Sequence, residues 1–383
     1  MEKFLYKKLS VIIIIFFLVL IGISISGHPA AAGVLDFLFK RKLELFIHGK
    51  DIYHNDQAII LRGVAVGDPH SRQTNDKRTI NDYEMIKKDW SANVVRLSVH
   101  PGSFRKDEER TKKFLEKEVE AARKQGLYVI IDWHVIGTPN GWYKPCKYGE
   151  DHYYSYSSNF NTASDFWRYA ANKFRGDTGV IFELWNEPAD EKNNVSWVKL
   201  KPYLERLYNV IKGQGADNVI IAPGVWWTYD LRGIKNNPMK GENIAYAWHN
   251  YPPNGQYIRW QQALDNLDIK YPIVVTEWGY TGDTKSFYYS APNGYAETFK
   301  KFMLQKNLHF TAWCWHGTWM PKMFESNWID MTDFGRKVKY LLNNYDKEKV
   351  LANSSQTNIT QSQIVQNFII KGYFPPDQII KLG

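Results

Sequence analysis

The chain reads as a single (β/α)8 barrel, and three observations predict it. Eight β-rich runs alternate with helical patterns along most of the 383 residues. At least five of those runs end on polar side chains, spread over the whole length. Two of them, Val180–Trp185 and Ile273–Glu277, deliver a glutamate just before a break at Pro188 or Gly279. Alternation by itself suits an open doubly wound sheet equally well. The scattered polar ends decide for the barrel, because a barrel gathers its strand ends around one mouth whereas an open sheet leaves them in a row.

Taken in order, residues 1–33 read as a targeting segment. Lys3, Lys7 and Lys8 make a basic start, Val11 to Ile25 is almost wholly apolar, and Ala30-Ala31-Ala32-Gly33 offers a small-residue cleavage site. Cleavage and secretion are expected. An uncleaved membrane anchor is the alternative, since the apolar stretch approaches the ~18 residues of a spanning helix. The main body is placed at 34–345 and opens with a hairpin, Leu43–Ile47 turning through His48-Gly49-Lys50-Asp51 into Ile52-Tyr53. The strands follow as Ile59–Val64, Asn93–Val99, Leu127–Trp133, Val180–Trp185, Asn218–Ala222, Ile244–His249, Ile273–Glu277 and Phe310–Trp315. Helical patterns separate them at Asp107–Gln125, Ala163–Phe174, Val195–Lys212, Tyr257–Leu267 and Gly294–Lys306, and Phe334–Asn344 closes the series. Gln125-Gly126 and Lys212-Gly213 are helix-ending signals. Residues 346–383 form a C-terminal extension too short for a core of its own, with Ile364–Ile370 and Pro375–Ile380 able to dock on the barrel.

Composition narrows the function classes. At 44% hydrophobic and 23% charged residues the chain is globular. The net charge of +9 falls to +7 once residues 1–33 are removed. No long Lys/Arg run, phosphate loop or zinc-finger spacing accompanies it, so no nucleic-acid partner is expected. The two cysteines make no disulfide framework; Cys314 faces the helix layer if Trp313 and Trp315 face the barrel interior. Neither H-x-H nor H-E-x-x-H occurs, so no catalytic metal is expected. Aromatics reach 15%, with 15 Trp and 24 Tyr, many beside Gly, Pro and Asn. Trp142, Tyr143, Tyr148, Tyr153, Tyr154 and Tyr156 crowd the loop Val135–Phe160, and Trp226, Trp227, Trp278, Trp319 and Trp328 follow other strands. Such rings either pack against helices or line a groove for ligands with flat apolar faces, as sugars have.

A carboxylate at the end of a buried strand is costly unless it sits at an opening. Two of them across one barrel mouth match a specific chemistry. Cleaving a glycosidic bond needs one carboxylic acid to protonate the leaving oxygen and a second carboxylate to attack the anomeric carbon or activate water. Glu187, in Trp185-Asn186-Glu187-Pro188, and Glu277, in Thr276-Glu277-Trp278-Gly279, are the pair. Arg96 is an odd guanidinium within a Val/Leu strand and requires a buried anion; a structural ion pair with Glu183 is the plain alternative to a role at the site. Asp132 and His134 share a strand face, as do His249 and Tyr251. For both histidines a satisfied core position is the plain alternative.

With these motifs the chain resembles glycoside hydrolase family 5, from about Leu43 to Asn344. The resemblance implies a retaining β-glycosidase, most often an endo-β-1,4-glucanase, acting on a β-linked polysaccharide without a cofactor; separately, a monomer is expected. It implies Glu187 as acid/base and Glu277 as nucleophile. It gives Arg96 the task of keeping the nucleophile ionised, and Asn186 that of binding the sugar 2-hydroxyl. His134 matches a substrate-binding histidine, and His249 and Tyr251 match the pair beside the nucleophile. Trp315, or else Trp313, matches the tryptophan under the cleaved sugar. A β-mannanase, another β-glucanase or a non-catalytic sugar-binding barrel are the alternatives. One departure stands out: where many members carry a histidine shortly after the position of Gly63, this chain has Gly67 or Asp68, with His70 beyond.

Overall fold

The computed structural model of the chain describes residues 44–74, 81–139, 141–142, 156–190, 195–254, 257–291 and 294–354. The expected targeting segment 1–33, Cys146, Tyr143 to Tyr154 of the aromatic loop and the runs 364–370 and 375–380 lie outside these residues.

A small antiparallel sheet comes first, made of β1 (Leu45–His48), β2 (Asp51–His54) and β3 (Gln57–Ile59). Then come β4 (Arg62–Ala65), β5 (Val94–Val99) and β6 (Tyr128–Trp133), a two-residue antiparallel pair β7 (Gly137–Thr138) and β8 (Gly141–Trp142), and β9 (Val180–Glu183). The last four are β10 (Ile220–Ala222), β11 (Ile244–Asn250), β12 (Ile273–Trp278) and β13 (His309–Ala312). Eight of them, in the order β10-β11-β12-β13-β4-β5-β6-β9, close into a parallel barrel, so the expected (β/α)8 architecture is the observed one. Every residue of β5, β9, β11, β12 and β13 is buried, as strands covered on both faces must be.

The helices surround this barrel. They are α1 (Pro69–Thr74), α2 (Asp82–Lys88), α3 (Pro101–Lys106), α4 (Glu108–Lys124), α5 (Phe160–Phe174), α6 (Trp197–Lys212), α7 (Tyr257–Leu264), α8 (Tyr295–Gln305), α9 (Asp333–Asn343) and α10 (Tyr345–Ser354). Side chains start several of them. Asp107 accepts from the Arg110 amide, Asn159 from Thr162 and Thr332 from Gly335, each satisfying an otherwise unpaired first-turn N–H.

Side-chain alternation divides the core in two. Val95, Leu97, Val99, Val129 and Ile131 face the helix layer. Val94, Ile130, Ile181, Ile221, Ala247 and Val274 fill the lower barrel, and Leu45 and Ile52 of the first sheet close its floor. At Gly63 a Cβ would sit 1.7 Å from the Val94 carbonyl oxygen, so β4 approaches β5 only because glycine stands there.

Several expected boundaries shift. The first barrel strand begins at Arg62 instead of Ile59, because Gln57–Ile59 pairs antiparallel with β2. The fourth ends at Glu183 and the eighth at Ala312, short of Trp185 and Trp315. The packed body also runs past 345. Helix α10 is tied to α8 through Gln305 to the Ala352 carbonyl and Lys300 to Glu348, reaching Ser354.

Candidate active site

The barrel mouth is built around Arg96. Flanked by Val95 and Leu97, which face the helices, Arg96 faces inward and is fully buried. Its Nε donates to Glu183 at 2.6 Å and its Nη2 reaches the other Glu183 oxygen at 3.2 Å. Nη2 also lies 2.9 Å from Asp132 and 2.8 Å from Asn186 Oδ1, while Nη1 donates to Glu277 Oε1 at 2.8 Å. The structural pair with Glu183 and the contact with Glu277 therefore exist together.

Glu277 reaches the interior through a break in alternation. Val274 and Thr276 face inward, which by strict period two would send Glu277 outward with Val275. The β11–β12 register shifts between Ala247 and His249, so His249 pairs with Glu277 and Asn250 with Trp278. The extra residue turns Thr276 and Glu277 both toward the mouth. Gly279 then lets the chain pass the next strand, since a Cβ there would lie 2.6 Å from the Trp313 carbonyl oxygen. Tyr251 donates to Glu277 Oε2 at 2.7 Å.

Glu187 sits beyond β9 and is fixed by its backbone. Its amide donates to Val135 and its carbonyl accepts from Gly137, while Trp227 donates to Pro188 next door. Its Oε1 lies 2.9 Å from His249 Nδ1, and His249 Nε2 lies 3.0 Å from Thr276 Oγ1. One oxygen of Glu187, one of Glu277 and a ring nitrogen of His249 lie within 4.8 Å of one another. These donors are close enough to share an ion, but Arg96, Tyr251 and His249 already engage both carboxyls, which suits proton transfer.

The electrostatics separate the two glutamates. Burial, and then the charge of Glu277, holds the Glu187 carboxyl well above the usual carboxylate range. Burial also raises Glu277, but Arg96 and the Tyr251 hydroxyl pull it back. Glu187 is thus the proton holder of the pair and Glu277 the anion. Burial lowers His134 to about 3 and takes His249 well below its ordinary value, so both rings are neutral. Asp132 and Glu183 are each pushed up to about 7 by burial, with Arg96 opposing.

Seven of the eight expected site residues converge here: Glu187, Glu277, Arg96, His134, Asn186, His249 and Tyr251. His134 donates or accepts at 2.6 Å with Asp132 through Nδ1 and stacks on Trp313 at 5.2 Å and 8°. Trp315 does not join them. The strand ends at Ala312, so alternation no longer relates the two tryptophans. Trp315 turns into the helix layer, packs edge-on against Trp90 and Phe324, and donates to Asp82 at 2.9 Å. Trp313 is the tryptophan at the mouth. Cys314 lies buried with Ala65 and Trp313 instead of among the helices. Accordingly, Trp313→Ala is expected to lower kcat/KM on soluble β-glucan about tenfold, roughly the worth of one aromatic face. Trp315→Phe should leave kcat/KM near wild type and lower the thermal midpoint. The reverse pattern in initial rates and melting curves would restore Trp315 to the site.

His100, just past the end of β5, continues the parity of Arg96 and Ser98 but carries no motif of its own. Its ring stacks on His134 at 5.0 Å and on Trp319 at 5.5 Å, and its backbone amide donates to Asp68 at 2.7 Å. Asp68 also caps α1 through the amides of His70 and Ser71. His70 itself turns away, its ring against Phe114 of α4. Trp319 lies over Gly67 and stacks on His316, and Tyr156 leans on His100 and His134. Of the other loop tryptophans, Trp278 is core, packed on Phe299, Phe310 and Phe334. Trp226 packs on Tyr229 and Trp328 on His316.

Known proteins resemble this chain. Endoglucanase E-5 of Thermobifida fusca is 28% identical over 61% of this chain, which spans 48% of that relative's length. Endoglucanase Z of Dickeya dadantii is 26% identical over 82% of this chain and 70% of its own length. The crystal structure of the β-glucanase SdGluc5_26A from Saccharophagus degradans, in complex with cellotetraose, superposes with a TM-score of 0.70 at 23% identity, covering 80% of this chain and 94% of that one. Residues 54–318 match the family profile described as Cellulase (glycosyl hydrolase family 5). That span holds all eight barrel strands and both glutamates, and the chain belongs to glycosyl hydrolase family 5.

Proposed function

We propose that the chain is a retaining endo-β-1,4-glucanase, with Glu277 as nucleophile and Glu187 as acid/base. The observation that carries this reading is the spacing of the pair, with oxygens of the two carboxyls within 4.8 Å. Retaining enzymes hold their carboxyls about 5 Å apart, whereas inverting ones leave roughly 6.5–9.5 Å for a water. In the first step a Glu277 oxygen bonds the anomeric carbon as the glycosidic C–O bond breaks, and Glu187 gives its proton to the departing oxygen. In the second, ionised Glu187 takes a proton from water, the water oxygen bonds the anomeric carbon, and Glu277 leaves as carboxylate. Arg96 and Tyr251 stabilise the charge on Glu277 at both ends of this cycle.

Each remaining residue has a task. Arg96 holds Asn186 Oδ1, which orients Nδ2 for the 2-hydroxyl of the sugar being cleaved. Asp132 occupies His134 Nδ1, which leaves Nε2 for another hydroxyl. Trp313 underlies the sugar ring. Glucan is the favoured polymer because the relatives of this chain include endoglucanases, and because unbranched β-1,4-glucan has apolar ring faces that suit the rings at the mouth. The basic and apolar pattern of residues 1–33 supports export of the enzyme to meet such a polymer outside the cell.

The test uses carboxymethyl cellulose, mixed-linkage β-glucan and mannan. Viscosity should fall early on the glucans, and proton NMR should detect the β-anomer first, before mutarotation. Higher kcat/KM on mannan than on every glucan would overturn the substrate, and initial α-anomer would overturn the mechanism.

A further inference from the structure

The acid/base and nucleophile make opposite demands on their surroundings. Glu277 needs a cation beside it to stay ionised. The same cation, in the same dry cage, works against Glu187, which must keep a proton near neutral pH. Arg96 exerts both influences, pulling down Glu277 and Glu187 alike.

The geometry resolves the conflict. Arg96 gives one nitrogen to Glu277 and directs the rest of its guanidinium elsewhere, to both oxygens of Glu183, to Asp132 and to Asn186. We infer that Glu183 and Asp132 are positioning residues for the general acid: by dividing the charge of Arg96, they let it touch Glu277 without drawing the proton from Glu187. This inference rests on the catalytic reading given above.

A second contact bears on the acid directly. His249 Nδ1 lies 2.9 Å from Glu187 Oε1 and His249 Nε2 lies 3.0 Å from Thr276 Oγ1. With a protonated Glu187 donating to Nδ1 of neutral His249, the ring proton sits on Nε2 and is donated to Thr276. Glu183, Asp132 and Glu277 face Glu187 as anions, and Arg96 is the cation opposing them.

The experiment compares wild type, Glu183→Gln and Asp132→Asn, all checked for folding by circular dichroism. The pH profile of kcat/KM is recorded on a cello-oligosaccharide, whose leaving group needs the acid. It is recorded again on dinitrophenyl β-cellobioside, whose leaving group does not. Both variants should move the basic limb on the oligosaccharide down by about one unit, the effect of one buried charge removed nearby. At pH 8 kcat/KM should fall several-fold on the oligosaccharide and hold on the aryl glycoside.

If the two carboxylates merely hold the fold, Arg96 loosens on their removal. Both substrates then lose equally, and the basic limb stays or rises. Either result overturns the inference, and if one variant fails to fold the other carries the test. Wild type inactive on every glucan, or a Glu187→Ala profile that keeps its basic limb, would instead defeat the catalytic reading.

Discussion

Glu277→Gln is expected to cut β-glucan turnover by at least roughly 10⁴-fold, about 5.5 kcal/mol of lost transition-state stabilisation. The amide matches the carboxylate in shape but cannot form the ester through which both displacements pass. Folding should survive, because the change removes one anion from a cage where Asp132 and Glu183 remain to pair with Arg96. Substrate affinity should survive too, since Trp313, His134 and Asn186 are untouched. Calorimetry with cellotetraose should give a Kd within about tenfold of wild type. The variant also removes the charge that helps keep the proton on Glu187, so any residual activity should lose its basic limb at lower pH. Substantial hydrolysis by a verified, uncontaminated sample would end the assignment.

What the sequence made legible, and what it hid, follows from the reach of side-chain periodicity. Arg96, Asp132 and His249 stand on strands, where alternation fixes the face, and His134 directly follows one; all four are where alternation puts them. Glu277 was identified by its motif, but alternation points it the wrong way, and the β12 bulge that turns it inward leaves no mark in composition. Trp315 failed for the same reason at the other end. Past Ala312 the chain is no longer a strand, and the partner that captures Trp315, Asp82, lies 233 positions away. His100 shares the parity of Arg96, so its place could be read. Its meaning could not, because that depends on Asp68 and Trp319 arriving from two other loops. In the sequence Glu183 reads only as an ion-pair partner. Its link to the catalytic pair passes through Arg96 of another strand, which binds Glu183 and Glu277 together.

Glu187→Ala should divide substrates in a way no loss of structure does. On carboxymethyl cellulose kcat/KM should fall by about 10²–10⁴-fold, the usual worth of a positioned general acid. The basic limb of the pH profile should vanish, because the group that titrates there is gone, while the acid limb set by Glu277 stays. On dinitrophenyl β-cellobioside the first displacement needs no proton and should proceed near the wild-type rate. The second needs a base to activate water and should stall, so a burst of dinitrophenol followed by a slow phase is expected as the Glu277 ester accumulates. Azide requires no base to attack. It should therefore restore turnover and give β-cellobiosyl azide, since it enters from the face that Glu187 serves. Equal losses on both substrates would mean that Glu187 only supports the fold. An α-azide would mean that no ester on Glu277 had formed, and the double displacement would fall with it.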